Sequence, residues 1–573
     1  MNHLGNRLRL QFNRKILLTT GIIGLLIFVL LQVLPAFFSP QASEVPNQAA
    51  ITKEAATDKA LAFAKKNWPQ ASPDAANASV SYATNSNLYG YLVSNKLLDK
   101  YHDTFVQKYP YEYYRVELPE RNIPSKAYYI YLNMQSGDVV SWKMFTPEDT
   151  PSHRTTDEMI DAAKQHLAKA GYDINMLTVQ QTTSEKNYPN HKNIILEDTS
   201  RKIGKSRLLI SVQFIQDEIS SVTPAFSVPE SHLLYVQQQQ RNANWMTGLG
   251  YYLLTFALAV LAVIYSILKR RHTSFKRGIF LTLLYTGLSI FSFFNIMPAM
   301  KAMSGDMPID NTLLIATAVF QCIVTVLMGI ATYFSFVGGD GLWRERGLNP
   351  WPRFREPGYG DYVFRSMGVG YITAFILLGL QVIIYIALSL TIGTWSTTDA
   401  TQSTYNMVYP LLFPLMAWVA GIGEEATYRL FGIIMLKKIV RNTFIACLIS
   451  TLIWAFGHTL YPIYPTYSRP IELIFLGLGF SWIFFRYGFI TAVFAHVIFD
   501  SIGMGLSVIL MKNGASYTLI GLGYMILPAI VAWVIRWFYR MRYPHNPNDP
   551  VEPIEPKEKE KEPLSTTPPE ALV

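Results

Sequence analysis

Charge is scarce in this 573-residue chain. Asp, Glu, Lys and Arg make up 16% of it, where about a quarter is ordinary for a soluble protein. That shortage argues against a large solvated surface. Cysteine is nearly absent as well. The two that occur, Cys322 and Cys447, lie far apart inside apolar stretches, so neither a disulfide framework nor a cysteine-built zinc site is available. Both read as packing residues. What fills the chain instead is apolar: half of its residues are hydrophobic. They fall into blocks of roughly 18 to 25 residues, the length that crosses a bilayer core of about 30 Å. The chain is therefore read as embedded in a membrane.

The formal net charge is +9, and its placement decides its meaning. Lys269, Arg270 and Arg271 with Lys276 and Arg277, and Arg536 with Arg540 and Arg542, stand beside the ends of apolar blocks. The positive-inside rule expects this of cytoplasmic loops. They are topology determinants and not a nucleic-acid site.

A basic leader (Arg7, Arg9, Arg14, Lys15) precedes an apolar run over about 16–38. The apolar core of a cleaved signal peptide is about 7 to 15 residues long. The longer run here reads as an uncleaved signal anchor (1–39) with a cytoplasmic N-terminus, while small residues after Pro40 would permit cleavage. Residues 40–245 hold no spanning segment. Helix-like stretches at 52–68 and 155–170 are each followed by strand-like runs, among them 127–132, 139–145 and 208–214. They are expected to form an extracytoplasmic α+β domain of two related units, weakly similar to PepSY-like modules. Apolar blocks then recur at about 247–268, 278–300, 311–336, 367–392, 406–436, 442–460, 471–486, 488–510 and 517–536. With the anchor they make about ten spans, and alternating them puts every basic loop on one side. Within 246–366, the loop 337–366 carries Trp343, Trp351 and several arginines, the pattern of an interfacial cytoplasmic segment. Residues 544–573, rich in Pro, Glu and Lys, read as a disordered cytoplasmic tail. The fold class expected is thus a polytopic α-helical membrane protein with an N-terminal extracytoplasmic α+β domain.

Ionisable residues well inside apolar blocks carry the functional information. The first five blocks contain essentially none; the later ones contain Glu424, Glu425, Arg429, His458, His496 and Asp500. A charge at the bilayer centre costs at least about 2.5–3.5 kcal/mol on insertion scales, so these groups are expected to face inward and satisfy one another. Helical spacing agrees. Glu425 and Arg429 are four apart and share a face, as do His496 and Asp500. Glu424 is turned from Glu425 by about 100°, and His458 follows Trp454 at the same four-residue interval on a third helix. With neutral imidazoles the set carries three negative charges against one positive, an excess that demands a proton or a cation. Two routes are open: a zinc ion on Glu424, His458 and His496, or a glutamate acting as general base on water without a metal. Both end in water attacking an electrophilic carbonyl. A structural strut and a proton or ion pathway use the same residue types.

These residues resemble a known family, the CPBP intramembrane proteases, which include the type II CAAX prenyl endopeptidases and bacterial bacteriocin-processing or immunity (Abi) proteins. Its double-Glu motif reads here Glu424-Glu425-Ala426-Thr427-Tyr428-Arg429. Its Phe-x-x-x-His motif appears as Trp454-Ala455-Phe456-Gly457-His458, and its His-x-x-x-Asn/Asp motif as His496-Val497-Ile498-Phe499-Asp500. The resemblance covers about 370–540, and 367–543 is read as the protease core. Two departures, Trp454 for the usual Phe and Tyr428 for a frequent Phe, are read as leaving the chemical groups untouched. The resemblance implies Glu424 as general base and His458 orienting the water. It implies His496 and Asp500 as an oxyanion-stabilising or metal-supporting pair, with Glu425 beside them. Arg429 and Trp454 would be structural supports.

The expected function is an endopeptidase acting on a membrane-associated protein or peptide, with an outer domain suited to recognition and no signal for a lipidated substrate. The alternatives are a non-enzymatic immunity or scaffold protein, or an ion- or proton-coupled transporter. The transporter is weakened by the uncharged early spans and by the lack of an evident inverted repeat. Depth poses a problem. Counted from the cytoplasmic helix ends, His458 falls about 24 Å along its helix and His496 about 12 Å. They can meet only if those helices are tilted, broken or differently bounded, with Gly421 and Gly423 as a natural break.

Overall fold

The computed structural model describes residues 1–6, 8–10, 12–38, 50–121, 123–303, 305–306 and 311–543. The stretch in which cleavage was considered and the charged tail lie outside the described residues. Helix α1 (Arg14–Phe28) is capped by the Asn13 side chain, which accepts from the Ile16 N–H. It continues through a π-helical turn, Val29–Val33, to Phe38.

The next part is a sheet domain. Helix α2 (Lys53–Asn67) is capped by Thr52, and α3 (Thr156–Lys169) by a Thr155/Glu158 capping box. Eight strands follow them: β1 (Ser79–Thr84), β2 (Glu112–Glu120), β3 (Ile123–Asn133), β4 (Val139–Phe145), β5 (Leu177–Ser184), β6 (Lys192–Ile203), β7 (Ser206–Ile215) and β8 (Glu218–Phe226). They form one antiparallel sheet in the order β1-β2-β3-β4-β8-β7-β6-β5. Each half contributes a leading helix and four strands, the first half with two further helices, Ser86–Ser94 and Leu98–Thr104, between its first two strands, and the halves join where Trp142 of β4 pairs with Val222 of β8. Period-two alternation puts Tyr114, Val116, Leu118, Tyr128, Ile130 and Leu132 against Ala56, Ala60 and Ala64 of α2. Leu208, Ile210, Val212 and Phe214 meet Met159, Ala163 and Leu167 of α3 in the same way.

Helix α4 (Glu230–Trp245) leaves this domain and passes through a π-helical stretch, Met246–Leu253, into α5 (Leu254–Leu268). Then come α6 (Ile279–Asn295), α7 (Asn311–Arg344), α8 (Tyr359–Ile392) and α9 (Met416–Glu424). A π-helical segment, Glu425–Gly432, joins α9 to α10 (Ile433–Val440). After it stand α11 (Thr443–Phe456), α12 (Ser468–Tyr487), α13 (Phe489–Leu510) and α14 (Ala515–Arg542). Among the described residues, seven helices are long and apolar enough to cross a membrane, and α6 and α11 are shorter apolar helices. The anchor is built into the bundle: α1 crosses α8 so closely that a Cβ on Gly24 would lie 2.4 Å from the Phe375 carbonyl oxygen.

The sheet domain is tied to the loops at one end of the bundle. Asn406, fully buried, accepts from the Tyr82 N–H at 2.7 Å and donates to the Tyr82 carbonyl at 2.8 Å. Thr397 donates to the Ser86 carbonyl, and Thr466 bonds Gln239 of α4. Residues Trp395–Ser396 pair with Ile463–Tyr464 as a two-stranded ladder, and Trp395 stacks on His232.

Two expectations need correcting. Trp343 and Trp351 are not exposed on the loop as an amphipathic segment would leave them; both are buried within the protein. Trp343 belongs to α7 and donates Nε1 to the Leu430 carbonyl at 2.8 Å. Trp351 packs between Phe336 and Phe489, with the Arg277 guanidinium over its ring. The loop folds inward because its charges neutralise one another: Asp340 takes Arg277 and Arg344, both at 3.0 Å, and Glu356 takes Arg344 and Asn349. Nor does the chain break at Gly421 and Gly423. Both are sites of close approach, Gly421 to Val497 of α13 and Gly423 to the Tyr285 ring. The irregularity comes just after them, as the π-helical segment.

Candidate active site

The π-helical segment begins at Glu425, with the Ile433 N–H reaching back five residues to the Tyr428 carbonyl. The widened turn leaves carbonyls for neighbouring side chains. Leu430 accepts from Trp343, and Tyr428 accepts from Ser450 at 2.7 Å. Such turns are often found at functional sites. Here the turn puts Glu425 and Arg429 side by side, 3.1 Å apart and fully buried. The Arg429 guanidinium also lies 4.6 Å from the Trp454 ring centre and 5.3 Å from that of Phe480, so its faces rest on aromatic surface.

All the residues singled out in the sequence meet here. His496 of α13 stacks on Phe480 and places Nδ1 2.8 Å from Glu425 Oε1. Its Nε2 lies 3.7 Å from Glu424 and 3.5 Å from Asp500. With carboxylate oxygens facing both nitrogens, an imidazolium bearing a proton on each side satisfies the ring. His458 lies in the turn after α11. Its Nδ1 is 3.0 Å from the Trp454 carbonyl, so a proton on Nδ1 leaves the Nε2 lone pair facing Glu424 Oε1, 4.0 Å away. Glu424 Oε2 accepts the Trp454 indole N–H. Accessibility separates the groups. Glu425, Arg429 and His496 are sealed, whereas the side chains of Glu424, His458 and Asp500 are 26, 19 and 21% accessible.

The two histidines meet all the same, 4.0 and 3.7 Å from Glu424. Helix α11 stops at Phe456, so His458 belongs to the turn beyond it and not to the helix. That turn is fastened to the α4–α5 helix by Thr459, which bonds Thr247 and the Ala243 carbonyl. Helix α13 begins beneath a layer of chain: the Phe489 N–H is taken by the Pro350 carbonyl, and Gly488, at φ +92°, makes the turn.

The donor set has the chemistry of a zinc shell, but the spacing is open. Separations of 3.7 and 4.0 Å from Glu424 to the two imidazoles exceed the roughly 3.3 Å between donors that a tetrahedral shell with bonds near 2.0 Å sets. Among the described residues, no group of three or more His, Cys, Asp or Glu side chains is placed to hold a metal ion.

Residues 406–502 match the family of type II CAAX prenyl endopeptidases, Rce1-like. The matched span contains all three motifs, and the resemblance seen in them holds for this Rce1-like segment. The sporulation-killing factor biosynthesis protein SkfC of Bacillus subtilis (strain 168) is 31% identical over 83 residues, covering 14% of this chain and 17% of that protein. The similarity to SkfC thus spans about a sixth of its length. No solved structure matches the chain.

Several neighbours of the Rce1-like motifs escaped the sequence. Tyr251 and Tyr285 lie within electrostatic reach of Glu424, and the Tyr428 hydroxyl bonds Thr255 at 3.0 Å. Tyr428 therefore has a polar role that Phe could not fill. Tyr461 stacks on His458, Arg469 lies over Tyr461, and Glu472 binds both Arg469 and Gln381 at 2.8 Å. Tyrosines count as apolar in a span search, and Arg469 and Glu472 fall at a block boundary. Gln381, a lone amide in the 367–392 run, was the available signal.

Breaking the sealed pair is expected to be severe. Arg429→Met strands the Glu425 carboxylate and should cost about 3–5 kcal/mol, lowering the unfolding temperature in detergent. Adding Glu425→Gln to it should recover part of that loss. An Arg429→Met protein as heat-stable as the parent would contradict the pairing.

Proposed function

We propose that this chain is an intramembrane endopeptidase in which Glu424 acts as general base on water. The observation that carries the reading is the different surroundings of two adjacent glutamates. Glu425 is sealed and held by Arg429 and His496, whereas Glu424 is partly accessible and held by a neutral donor. The 4.0 Å between Glu424 Oε1 and His458 Nε2 is a gap that one water bridges with two hydrogen bonds. Glu424 takes one proton of that water as its oxygen bonds to the carbonyl carbon of the scissile peptide, and the carbonyl π pair moves onto oxygen. His496 Nε2, with Asp500 beside it, faces that developing charge. The tetrahedral intermediate collapses with cleavage of the C–N bond, whose electron pair goes to nitrogen. Glu424 returns its proton to the leaving amine. The products are a carboxylic acid and an amine, and no other reactant is needed. The mechanism is written without a metal because the donor spacing is open.

The seven long helices, the two shorter ones and the 416–440 segment make ten crossings in this reading, with the sheet domain outside the cytoplasm. The mouth of the site belongs to the same side, because the loop after His458 is the one fastened to α4 and to the loops under the sheet domain. The substrate is a protein or peptide whose scissile bond reaches that end.

In the native host, Glu424→Gln should leave the protein level unchanged and let an uncleaved substrate accumulate; full cleavage by this variant would overturn the enzymatic reading. Metal analysis of an active, detergent-purified preparation should find far less than one equivalent of zinc, and a stoichiometric, activity-linked zinc would mean the side chains close around it. A cysteine at exposed Leu460, with Cys322 and Cys447 replaced by Ser, should react in intact cells with a membrane-impermeant maleimide. Labelling only after the cytoplasmic face is opened would reverse the assigned side.

A further inference from the structure

Trp454 touches four residues of the site, Glu424, Arg429, His458 and His496. Its indole N–H is donated to Glu424 Oε2, and its main-chain carbonyl takes His458 Nδ1. Its ring face supports the Arg429 guanidinium, and its ring centre lies 5.1 Å from that of His458 and 6.1 Å from that of His496, both near edge-on. The side chain is buried and pinned: a Cβ on Gly477 of α12 would stand 3.0 Å from two of its ring carbons. On the aromatic-wall reading Phe would serve equally, yet two of these contacts are hydrogen bonds to the two groups that flank the water.

We infer that Trp454 is a positioning residue that sets both partners of the attacking water. Its carbonyl fixes the His458 tautomer so that Nε2 faces Glu424. Its indole N–H occupies Oε2 of Glu424, which leaves Oε1 directed at that nitrogen. A neutral donor suits this position because it orients the carboxylate without cancelling its charge, whereas an arginine would pair with it. The ring also lies against Arg429, which ion-pairs with Glu425 and not with Glu424. The inference rests on Glu424 being the base and adds what holds it ready. Orientation of this kind is worth on the order of a hundredfold in rate when it is lost by about 1 Å.

The test uses Trp454→Phe, which keeps a ring and the main-chain bond to His458 but removes the N–H. In the full chain labelled with 15N-tryptophan in detergent micelles, the eleven tryptophans each contribute an indole N–H resonance. Trp454→Phe deletes one and so identifies it. Glu424→Gln, which replaces a carboxylate acceptor with a weaker amide, should move that resonance upfield and leave the others in place. A Trp454 resonance unmoved by Glu424→Gln overturns the hydrogen bond and the inference with it. On the substrate found to accumulate in Glu424→Gln cells, Trp454→Phe should lower kcat ten- to a hundredfold with KM unchanged. Gly477→Ala, whose Cβ would crowd the Thr451 methyl and the indole ring, should both shift the resonance and slow cleavage. Wild-type kcat in Trp454→Phe overturns the inference while leaving Glu424 as base. Wild-type cleavage by Glu424→Gln overturns the endopeptidase reading itself, whatever the indole resonance does.

Discussion

A glutamate and an arginine buried together in the middle of an apolar bundle constrain everything around them. Neither Glu425 nor Arg429 reaches solvent, and an unpaired charge at that depth would be prohibitive. The pair is closed by a widened helical turn, whose carbonyls at Tyr428 and Leu430 also take side-chain donors from outside the segment. Trp343 of α7 and Ser450 of α11 supply them. Gly339 lets α7 come close enough, since a Cβ there would lie 2.9 Å from the Leu430 carbonyl oxygen. The charge pair thereby fixes the turn, the turn fixes two neighbouring helices, and Glu425 Oε1, shared with Arg429, fixes His496 on a third. A polar requirement has become the packing plan of the bundle.

The same network separates two side chains that are adjacent in sequence. Successive residues on a helix point about 100° apart, so Glu424 cannot share the environment of Glu425. One is neutralised by a cation and sealed; the other meets an indole and two imidazoles and is partly accessible. The excess of two negative charges counted in the sequence falls to one when His496 carries both of its protons. What remains lies on Glu424 and Asp500, on either side of His496 Nε2. The least neutralised charge of the site therefore lies where chemistry has access, not in the packed interior.

Much of this was legible in the sequence. The helix-like stretches at 52–68 and 155–170 were legible, and in the structure helices begin at both, capped by Thr52 and Thr155. The buried charges were legible because charge in an apolar block is rare enough to be a signal, and the three motifs marked one meeting point. Pattern reading failed where a residue's class hides its polar atom. Trp454 and Tyr428 were scored as aromatic, yet one donates to Glu424 and the other bonds Thr255. It failed again at Arg469 and Glu472, near a span boundary. The pairing of two helix-and-strand halves into one eight-stranded sheet was not legible at all, because the contact of β4 with β8 is long-range.

The short helix before His458 connects this architecture to the chemistry. At 1.5 Å per residue, the fourteen residues of α11 rise only about 21 Å, less than a bilayer core of about 30 Å. The chain beyond it must adopt irregular backbone at depth, which is tolerated only where protein or a water-filled cavity satisfies its polar groups. The structure meets that demand residue by residue. Thr459 bonds the α4–α5 helix, the Thr397 N–H donates to the Pro462 carbonyl, and the Thr466 hydroxyl donates to Gln239 Oε1. Had α11 run the full thickness, His458 would be one more buried side chain on a regular helix, with no route for water to reach it. Its early stop puts an imidazole and a carboxylate, each partly accessible, side by side just beyond a short apolar helix, the arrangement that the proposed hydrolysis would use.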